Sequence, residues 1–190
     1  PRTATVRRHQ RALPHAEVRD ALARVRDCDA HAGIRLAFEF LVLTATRSGE
    51  VRNAHWEEID RDGAVWTIPA GRMKNGREHR VPLSDRALEV LGEATQLAAA
   101  DGCVFPSPRG RAMPQKCLSE LMRTLEVDAV PHGFRSSFRD WAAECTDAPR
   151  EVCELALAHV NGDRVEAAYR RSDLFERRRA LMADWAAYVA

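Results

Sequence analysis

A small set of side chains in this sequence has the chemistry needed to transfer a phosphoryl group without a metal ion. In chain order the set is Arg47, Lys74, His132, Arg135, His159 and Tyr169. A phosphodiester repels nucleophiles, and its transition state places negative charge on the nonbridging oxygens. An enzyme without metal must therefore supply fixed cations and hydrogen-bond donors there. Arginine is always charged, and its planar fork can give two parallel hydrogen bonds to phosphate. The set predicts attack by a tyrosine hydroxyl on a phosphate that arginines hold.

The two arginines stand where they could reach one phosphate. Arg47 follows an apolar segment and lies at the start of a short predicted helix, where free backbone N–H groups favour an anion. Glu50, one turn later, either orients Arg47 or satisfies the helix N-terminus. His132 and Arg135 are three residues apart, so both can face one pocket if Gly133 begins a helix.

The other candidates would move protons or attack the phosphate. Lysine can release a proton to a departing oxygen whereas arginine cannot, and Lys74 is unusual in a chain whose only other lysine is Lys116. The ring of His159 can donate a hydrogen bond to a nonbridging oxygen. Tyr169 has basic neighbours, which favour phenolate-like character during attack. Tyr188 instead lies on an apolar helix stripe, which is typical of a packing tyrosine.

Each candidate also has an ordinary structural interpretation. Arginines at helix starts and lysines in turns are usually solvated. Histidines often cap helices or lie near their C-terminal ends, and tyrosines commonly pack with the hydroxyl at the surface. Each interpretation is common by itself. For the catalytic prediction to fail, all of these interpretations would have to be true at once. The order, local context and spacing of the residues instead agree with a single site.

Four local motifs carry a resemblance to a known family. They are Arg47-Ser-Gly-Glu50, His132-Gly-Phe-Arg135, Leu157-Ala-His159 and Ala168-Tyr169-Arg170. In this order they resemble the catalytic domain of the tyrosine recombinases, the phage-integrase family. The integrases of prophages and genomic islands are the most similar type. The resemblance covers nearly the whole chain, from about 13 to 189.

The resemblance implies a role for each residue. Arg47, Arg135 and His159 would bind phosphate, Lys74 would protonate the leaving hydroxyl, His132 would be the base and Tyr169 the nucleophile, with Arg77 and Arg170 as further DNA phosphate contacts. It implies a site-specific recombinase that needs no cofactor and no metal. The implied partners are double-stranded DNA attachment sites, other protomers in a DNA-bound synaptic assembly, and accessory DNA-bending proteins. The implied location is the cytoplasm of a bacterium, as a nucleoid-associated or phage-encoded protein.

Two alternatives stay open from the sequence. Type IB topoisomerases resemble these enzymes in active-site chemistry, and they would relax supercoiled DNA without recombining it. A non-catalytic DNA-binding module, in which Tyr169 only packs, belongs to a different class. Formation of a covalent protein–DNA adduct would exclude the binding module.

Hydrophobic patterns predict the elements that must position these residues. Helices are expected at about 14–25, 32–44, 48–56, 84–97, 115–125, 134–144, 149–157, 164–169 and 174–189. The second helix has little polar surface, which indicates a buried core helix. Strands are expected at 59–60, 65–68 and 79–83, with Asp62-Gly63 and Asn75-Gly76 as the turns between them.

These elements predict a mainly α domain with a small three-stranded antiparallel β-sheet, an α+β fold. We expect residues 1–190 to form a single catalytic domain, with 1–12 as a lead-in segment. A chain that begins at Pro1 indicates an excised piece. The N-terminal DNA-clamping domain that the resemblance implies is absent from it. We also expect the last helix to fold back onto its own domain.

Composition argues against several other classes of protein. Every apolar run in the sequence is far below transmembrane length, and the start of the chain has no signal-peptide pattern. Five cysteines without a Cys-x-x-Cys pair indicate reduced thiols in a cytoplasm rather than a zinc site or disulfide framework. The net charge of +1 by itself is only a weak indication of a nucleic-acid partner.

Overall fold

The computed structural model describes residues 11–97, 99, 101–159 and 172–190 of the chain. Most of the predicted lead-in and the predicted helix at 164–169 lie outside these residues. Tyr169 and Arg170 lie outside them as well.

The described residues form a mainly helical fold with one small sheet. The α-helices are α1 (Val18–Asp27), α2 (Ala32–Thr44), α3 (Ser48–Arg52), α4 (Asp85–Ala94), α5 (Cys117–Thr124), α6 (Gly133–Glu144), α7 (Arg150–Ala156) and α8 (Phe175–Val189). The strands are β1 (Ile59–Asp60), β2 (Val65–Ile68) and β3 (His79–Pro82), and short 3₁₀ helices span His15–Glu17, Trp56–Glu58 and Ala70–Arg72. The predicted fold class is therefore confirmed. Within this part of the chain, no helix has the length and apolar character to cross a membrane.

Helix α2 lies at the centre of the fold, as its apolar sequence predicts. Helices α1, α4, α5 and α8 pack around it. Aromatic contacts join it to further elements. The ring of Phe38 meets that of Phe134 in α6 edge-on, with 5.1 Å between centroids, and the ring of Phe40 lies 5.4 Å from that of Trp66 in β2. Burying so much apolar surface is the main stabilising contribution to a domain of this size.

The sheet is antiparallel in the order β1-β2-β3. Trp66 of β2 lies opposite Ile59 on one side and Val81 on the other. Trp66 and Ile68 are buried while the residues between and before them are partly exposed, so one face of the sheet packs on the core. The connection between β2 and β3 is longer than the two-residue turn of a tight hairpin. It includes the 3₁₀ helix Ala70–Arg72, and its turn uses Gly76 at a φ of +64°.

Helix α8 packs against α2, α7 and β3 of its own chain, as expected. Trp185 is fully buried, and its Nε1 donates to the carbonyl of Val42 at 2.8 Å. Arg178 departs from the expected apolar stripe, because it is only 1% exposed. It donates to the carbonyl of Arg80 at 2.6 Å and to the carboxylate of Asp173 at 2.7 Å. A buried guanidinium needs such partners, so Arg178 ties the residues before α8 to strand β3.

Two predicted helix ends are wrong. Helix α3 ends at Arg52, where the side-chain amide of Asn53 donates to the carbonyl of Gly49 at 2.8 Å, so Trp56 belongs to a separate 3₁₀ helix. Helix α4 ends at Ala94 rather than at 97. There the hydroxyl of Thr95 donates to a carbonyl of the preceding turn, which offers the backbone an alternative to helix.

His79, the first residue of β3, is buried beside three positive charges. Burial, together with the charges of Arg178, Arg135 and Arg47, lowers the pKa of His79 from 6.5 to about 4. A hydrogen bond from its ring to the carbonyl of Ala156 opposes this shift without reversing it. The folded protein therefore holds His79 neutral and joins β3 to the end of α7 through it.

We expect this histidine to make stability depend on pH. The unfolded chain binds the proton of His79 below about pH 6.5, whereas the folded chain binds it only near a pKa of about 4. The free energy of unfolding should therefore fall as the pH drops through this window, by about 2 kcal/mol at about pH 5. Urea unfolding of the wild type and of His79→Gln at several pH values measures how the free energy of unfolding depends on pH. The variant should lose part of the pH dependence, and identical slopes would contradict the assignment.

Candidate active site

Arg47 is held by the residue that also caps its helix. The backbone N–H of Arg47 donates to Oε2 of Glu50 at 2.8 Å, and its guanidinium donates to Oε1 of the same carboxylate at 2.7 Å. The Glu50 side chain is only 5% exposed, whereas that of Arg47 is 25% exposed. Both interpretations offered for Glu50 therefore apply. It satisfies the start of α3 and fixes a guanidinium that stays partly exposed.

Arg135 is almost completely buried in the first turn of α6. It donates to the carbonyl of Ala45, which follows α2 in the left-handed conformation, and to the carbonyl of Leu157, which follows α7, at 2.6 Å. Burial and, to a smaller extent, the charge of Arg47 lower the pKa of Arg135 to about 10. Arg135 therefore stays charged at neutral pH. It connects the chain segment that leads to Arg47 with the one that leads to His159.

His159 lies three residues beyond the end of α7. Ala158 has a φ of +49°, so the chain reverses there. The reversal brings Nε2 of His159 to 3.2 Å from a guanidinium nitrogen of Arg135. The sequence placed these residues in one site, and the structure puts them in contact.

His159 has a partner that its sequence context does not indicate. Nδ1 of His159 lies 2.7 Å from Oε2 of Glu154, whose other oxygen accepts from Nε of Arg139 at 3.2 Å. Burial raises the pKa of Glu154, but the hydrogen bonds from His159 and Arg139 outweigh it and the net shift is downward. An ionised carboxylate can only accept, so it holds the proton of His159 on Nδ1 and leaves Nε2 directed towards Arg135.

His132 stands at the N-terminal end of α6, three residues before Arg135 as expected. Desolvation lowers the pKa of His132 below 6.5, and the charges of Arg135, Arg47 and His159 lower it further against the opposing charge of Glu50. A neutral imidazole has a free acceptor nitrogen, so His132 can take up a proton at neutral pH.

Gly133 is required at the start of α6 for a reason that the motif does not reveal. A Cβ atom at this position would lie 2.0 Å from the carbonyl oxygen of Arg11, which accepts from the backbone N–H of Val130 at 3.1 Å. The hydroxyl of Ser137 also donates to the carbonyl of Leu13 at 2.6 Å. The end of the lead-in segment therefore crosses the start of α6 too closely for any side chain.

Lys74 is exposed in the β2–β3 connection, directly after the buried Met73. Among the described residues it makes no hydrogen bond or ion pair. Arg77, also exposed, follows the Asn75 turn, in which the backbone N–H of Arg77 donates to the Asn75 side chain at 3.1 Å. The structure therefore brings together Arg47, Glu50, His132, Arg135 and His159, and it leaves Lys74 and Arg77 on a neighbouring loop.

The site is rich in cations and poor in free carboxylates. Its two carboxylates, Glu50 and Glu154, are each paired with a cationic or hydrogen-bonding side chain of the site itself. Within the described ranges, no three His, Cys, Asp or Glu side chains come close enough to hold a metal ion. A monoanionic phosphodiester matches this arrangement in charge and in hydrogen-bonding character.

Comparison with known proteins points to one family. The model of the Phage integrase family matches residues 11–174. Prophage integrase IntA of Escherichia coli (strain K12) is 39% identical over 169 residues, which cover 87% of this chain and 41% of that protein. The integrase of Enterobacteria phage P4 is 31% identical over 98% of this chain and 47% of its own length. The chain thus spans less than half the length of these relatives.

Solved structures of recombinases share the fold. The catalytic core of lambda integrase has a TM-score of 0.60 and 21% identity, over 80% of this chain and 96% of that one. The XerA recombinase has a TM-score of 0.65 and 14% identity, over 93% of this chain and 64% of that one. A lambda integrase dimer bound to a COC′ core site has a TM-score of 0.63 and 21% identity, over 84% of this chain and 60% of that one.

Proposed function

This chain belongs to the phage integrase family, and we propose that it forms the single catalytic domain of a site-specific DNA recombinase that cleaves and rejoins DNA through a 3′-phosphotyrosine. One observation supports this most strongly. Arg47, the pair His132 and Arg135, and His159 come from three separate segments of the chain, and the charges of Arg47, Arg135 and His159 act together at His132. Like charges repel, so such a cluster is stabilised by an anion bound among them.

In the proposed reaction the hydroxyl of Tyr169 attacks the scissile phosphorus. The new bond joins the tyrosine oxygen to phosphorus, and the bond to the 5′ oxygen breaks. His132 takes the tyrosine proton, and Lys74 gives a proton to the departing 5′ oxygen. Arg47 and Arg135 donate to the nonbridging oxygens, where charge develops, and His159 donates there from Nε2 once its ring carries a proton on both nitrogens. A 5′-hydroxyl of another strand then attacks the phosphotyrosine and reverses the step. Because the phosphotyrosine keeps the energy of the broken bond, the reaction consumes no nucleoside triphosphate.

Partners follow from the same proposal. A lambda integrase tetramer bound to a Holliday junction and a XerH recombinase bound to a difH substrate share this fold. We therefore expect this chain to act on double-stranded attachment sites together with other protomers, and with accessory DNA-bending proteins. Arg77 and Arg170 would add contacts to the DNA backbone. The proposed location is the bacterial cytoplasm, where the DNA is.

Covalent trapping tests the proposal. The chain is incubated with a library of nicked duplexes of randomised sequence, in which a cleaved strand loses a short fragment and cannot be rejoined. A protein–DNA adduct that survives SDS, and that maps to a 3′ phosphate, is expected. Absence of any adduct would reject the proposal in favour of a non-catalytic DNA-binding module. Relaxation of supercoiled plasmid without strand exchange between sites would instead favour a type IB topoisomerase.

Glu154 should matter for cleavage although it does not touch the phosphate. Glu154→Ala removes the acceptor that holds the proton on Nδ1 of His159, so the ring can turn and change tautomer. We expect adduct formation to slow by about 10- to 10²-fold, less than the 10²–10³-fold typical of losing a transition-state donor outright. Glu154→Gln, which keeps an acceptor oxygen, should lose less. Asp140→Ala, an exposed acidic residue on α6, is the control, and an unaffected Glu154→Ala would contradict the role.

A further inference from the structure

Arg72 has contacts that set it apart from the many arginines at the surface of this chain. It is the last residue of the 3₁₀ helix Ala70–Arg72, two positions before Lys74, and its side chain is 23% exposed. One guanidinium nitrogen donates to a carboxylate oxygen of Glu58, and the other terminal nitrogen donates to the backbone carbonyl of Glu50. The loop that carries Lys74 is therefore fastened at its start in two directions.

The first anchor is rigid because it ends in the core. The carboxylate of Glu58 is 5% exposed, and its second oxygen accepts from Nε1 of Trp66 at 2.9 Å. Trp66 is fully buried in β2. A buried charge is stable only when it is paired and hydrogen-bonded, so Arg72 and Glu58 hold each other in place. Their bond fixes the loop to the sheet.

The second anchor leads to the phosphate-binding residues. Glu50 accepts from Arg72 with its carbonyl, near the end of α3, where carbonyls lack partners within the helix. The carboxylate of the same residue holds Arg47. One residue thus connects the loop of Lys74 with the guanidinium proposed to bind the scissile phosphate. Met73, buried between Arg72 and Lys74, keeps the intervening backbone in place.

We propose that Arg72 is a positioning residue for the general acid: it sets the distance between the Lys74 loop and the phosphate that Arg47 holds. This inference rests on the proposed function. Lys74 has no partner of its own among the described residues, so the backbone on either side determines where its ammonium group can reach. Arginine suits the task because its fork donates in two directions at once, which the point charge of lysine cannot do.

The effect of Arg72→Ala on two substrates distinguishes a misplaced general acid from a general disruption of the active site. Arg72→Ala should slow cleavage of ordinary DNA by about 10²-fold, the scale of a misplaced catalytic group. A duplex with sulfur at the 5′ bridging position releases a thiolate, which leaves without a proton. On that duplex Arg72→Ala should cleave at close to the wild-type rate. Arg61→Ala, which removes an exposed arginine from the other turn of the sheet, should behave as wild type on both.

Removing Arg72 alone leaves the buried carboxylate of Glu58 unpaired and can destabilise the fold. The double variant Arg72→Met with Glu58→Gln removes that charge while keeping an acceptor for Trp66. Thermal unfolding verifies that it is folded, and both substrates are then tested. An equal loss on the oxygen and sulfur substrates, or no loss on either, would overturn the proposal. Wild-type protein that forms no adduct at all would instead reject the proposed function itself.

Discussion

Tyr169→Phe should abolish the covalent protein–DNA adduct completely. The substitution removes one oxygen atom, and with it the only proposed nucleophile, while the ring and its apolar surface remain. Folding and DNA affinity should therefore change little. Adduct is measured by SDS gel on the nicked duplexes, and affinity by binding to an uncut duplex of the same sequence. Adduct formed by the phenylalanine variant would show that another group attacks the phosphate.

The matched control is Tyr188→Phe, at the only other tyrosine of the chain. Its hydroxyl lies 2.8 Å from Nδ1 of His15, and its ring stacks on Trp185 at 6.0 Å between centroids. The hydroxyl thus bonds a residue that is not part of the candidate active site. The variant should form adduct like the wild type and lose about 0.5–1.5 kcal/mol of stability, the usual net contribution of one hydrogen bond. Loss of adduct in this variant alone would reverse the assignment.

Much of the fold follows from local sequence patterns. The predominantly apolar segment at 32–44 forms the central helix with the predicted bounds, and period-two alternation locates β2. Ser84 caps α4, as its residue type just before a helix favours, and its hydroxyl accepts from the backbone N–H of Ala87. These features depend on residues close together in the sequence, where periodicity and turn chemistry act directly.

The parts of the site that the sequence does not reveal depend on backbone reversals and on distant contacts. Glu154 and His159 are five apart, which is not a helical spacing, and they meet because Ala158 adopts a left-handed conformation that its residue type does not indicate. Arg178 and Arg72 are two arginines among many. Nothing local distinguishes a buried arginine from a solvated one, since the rule for charged residues is exposure.

The same distinction applies to Lys74, whose role the sequence indicates by residue type rather than by contacts. Lys74→Ala should slow cleavage of ordinary DNA by about 10²–10⁴-fold, the range of general acid catalysis. The departing 5′ oxygen is a poor leaving group unless a proton reaches it in the transition state. Lys116→Ala, at the only other lysine, should cleave at the wild-type rate and serves as the control for loss of positive charge.

The duplex with a bridging sulfur distinguishes proton donation by Lys74 from simple electrostatic attraction of the DNA. A bridging sulfur leaves as a thiolate without a proton, so the Lys74→Ala variant should recover most of its rate on that duplex. If the ammonium acted only by attracting the DNA backbone, the loss would be equal on both substrates and would shrink at high salt. We expect both Lys74→Ala and Arg72→Ala to recover their cleavage rate on the sulfur duplex, and Arg72→Ala to lose less rate on ordinary DNA. That result would show that Arg72 acts on the reaction through Lys74. Arg72 would fix the loop, and Lys74 would deliver the proton.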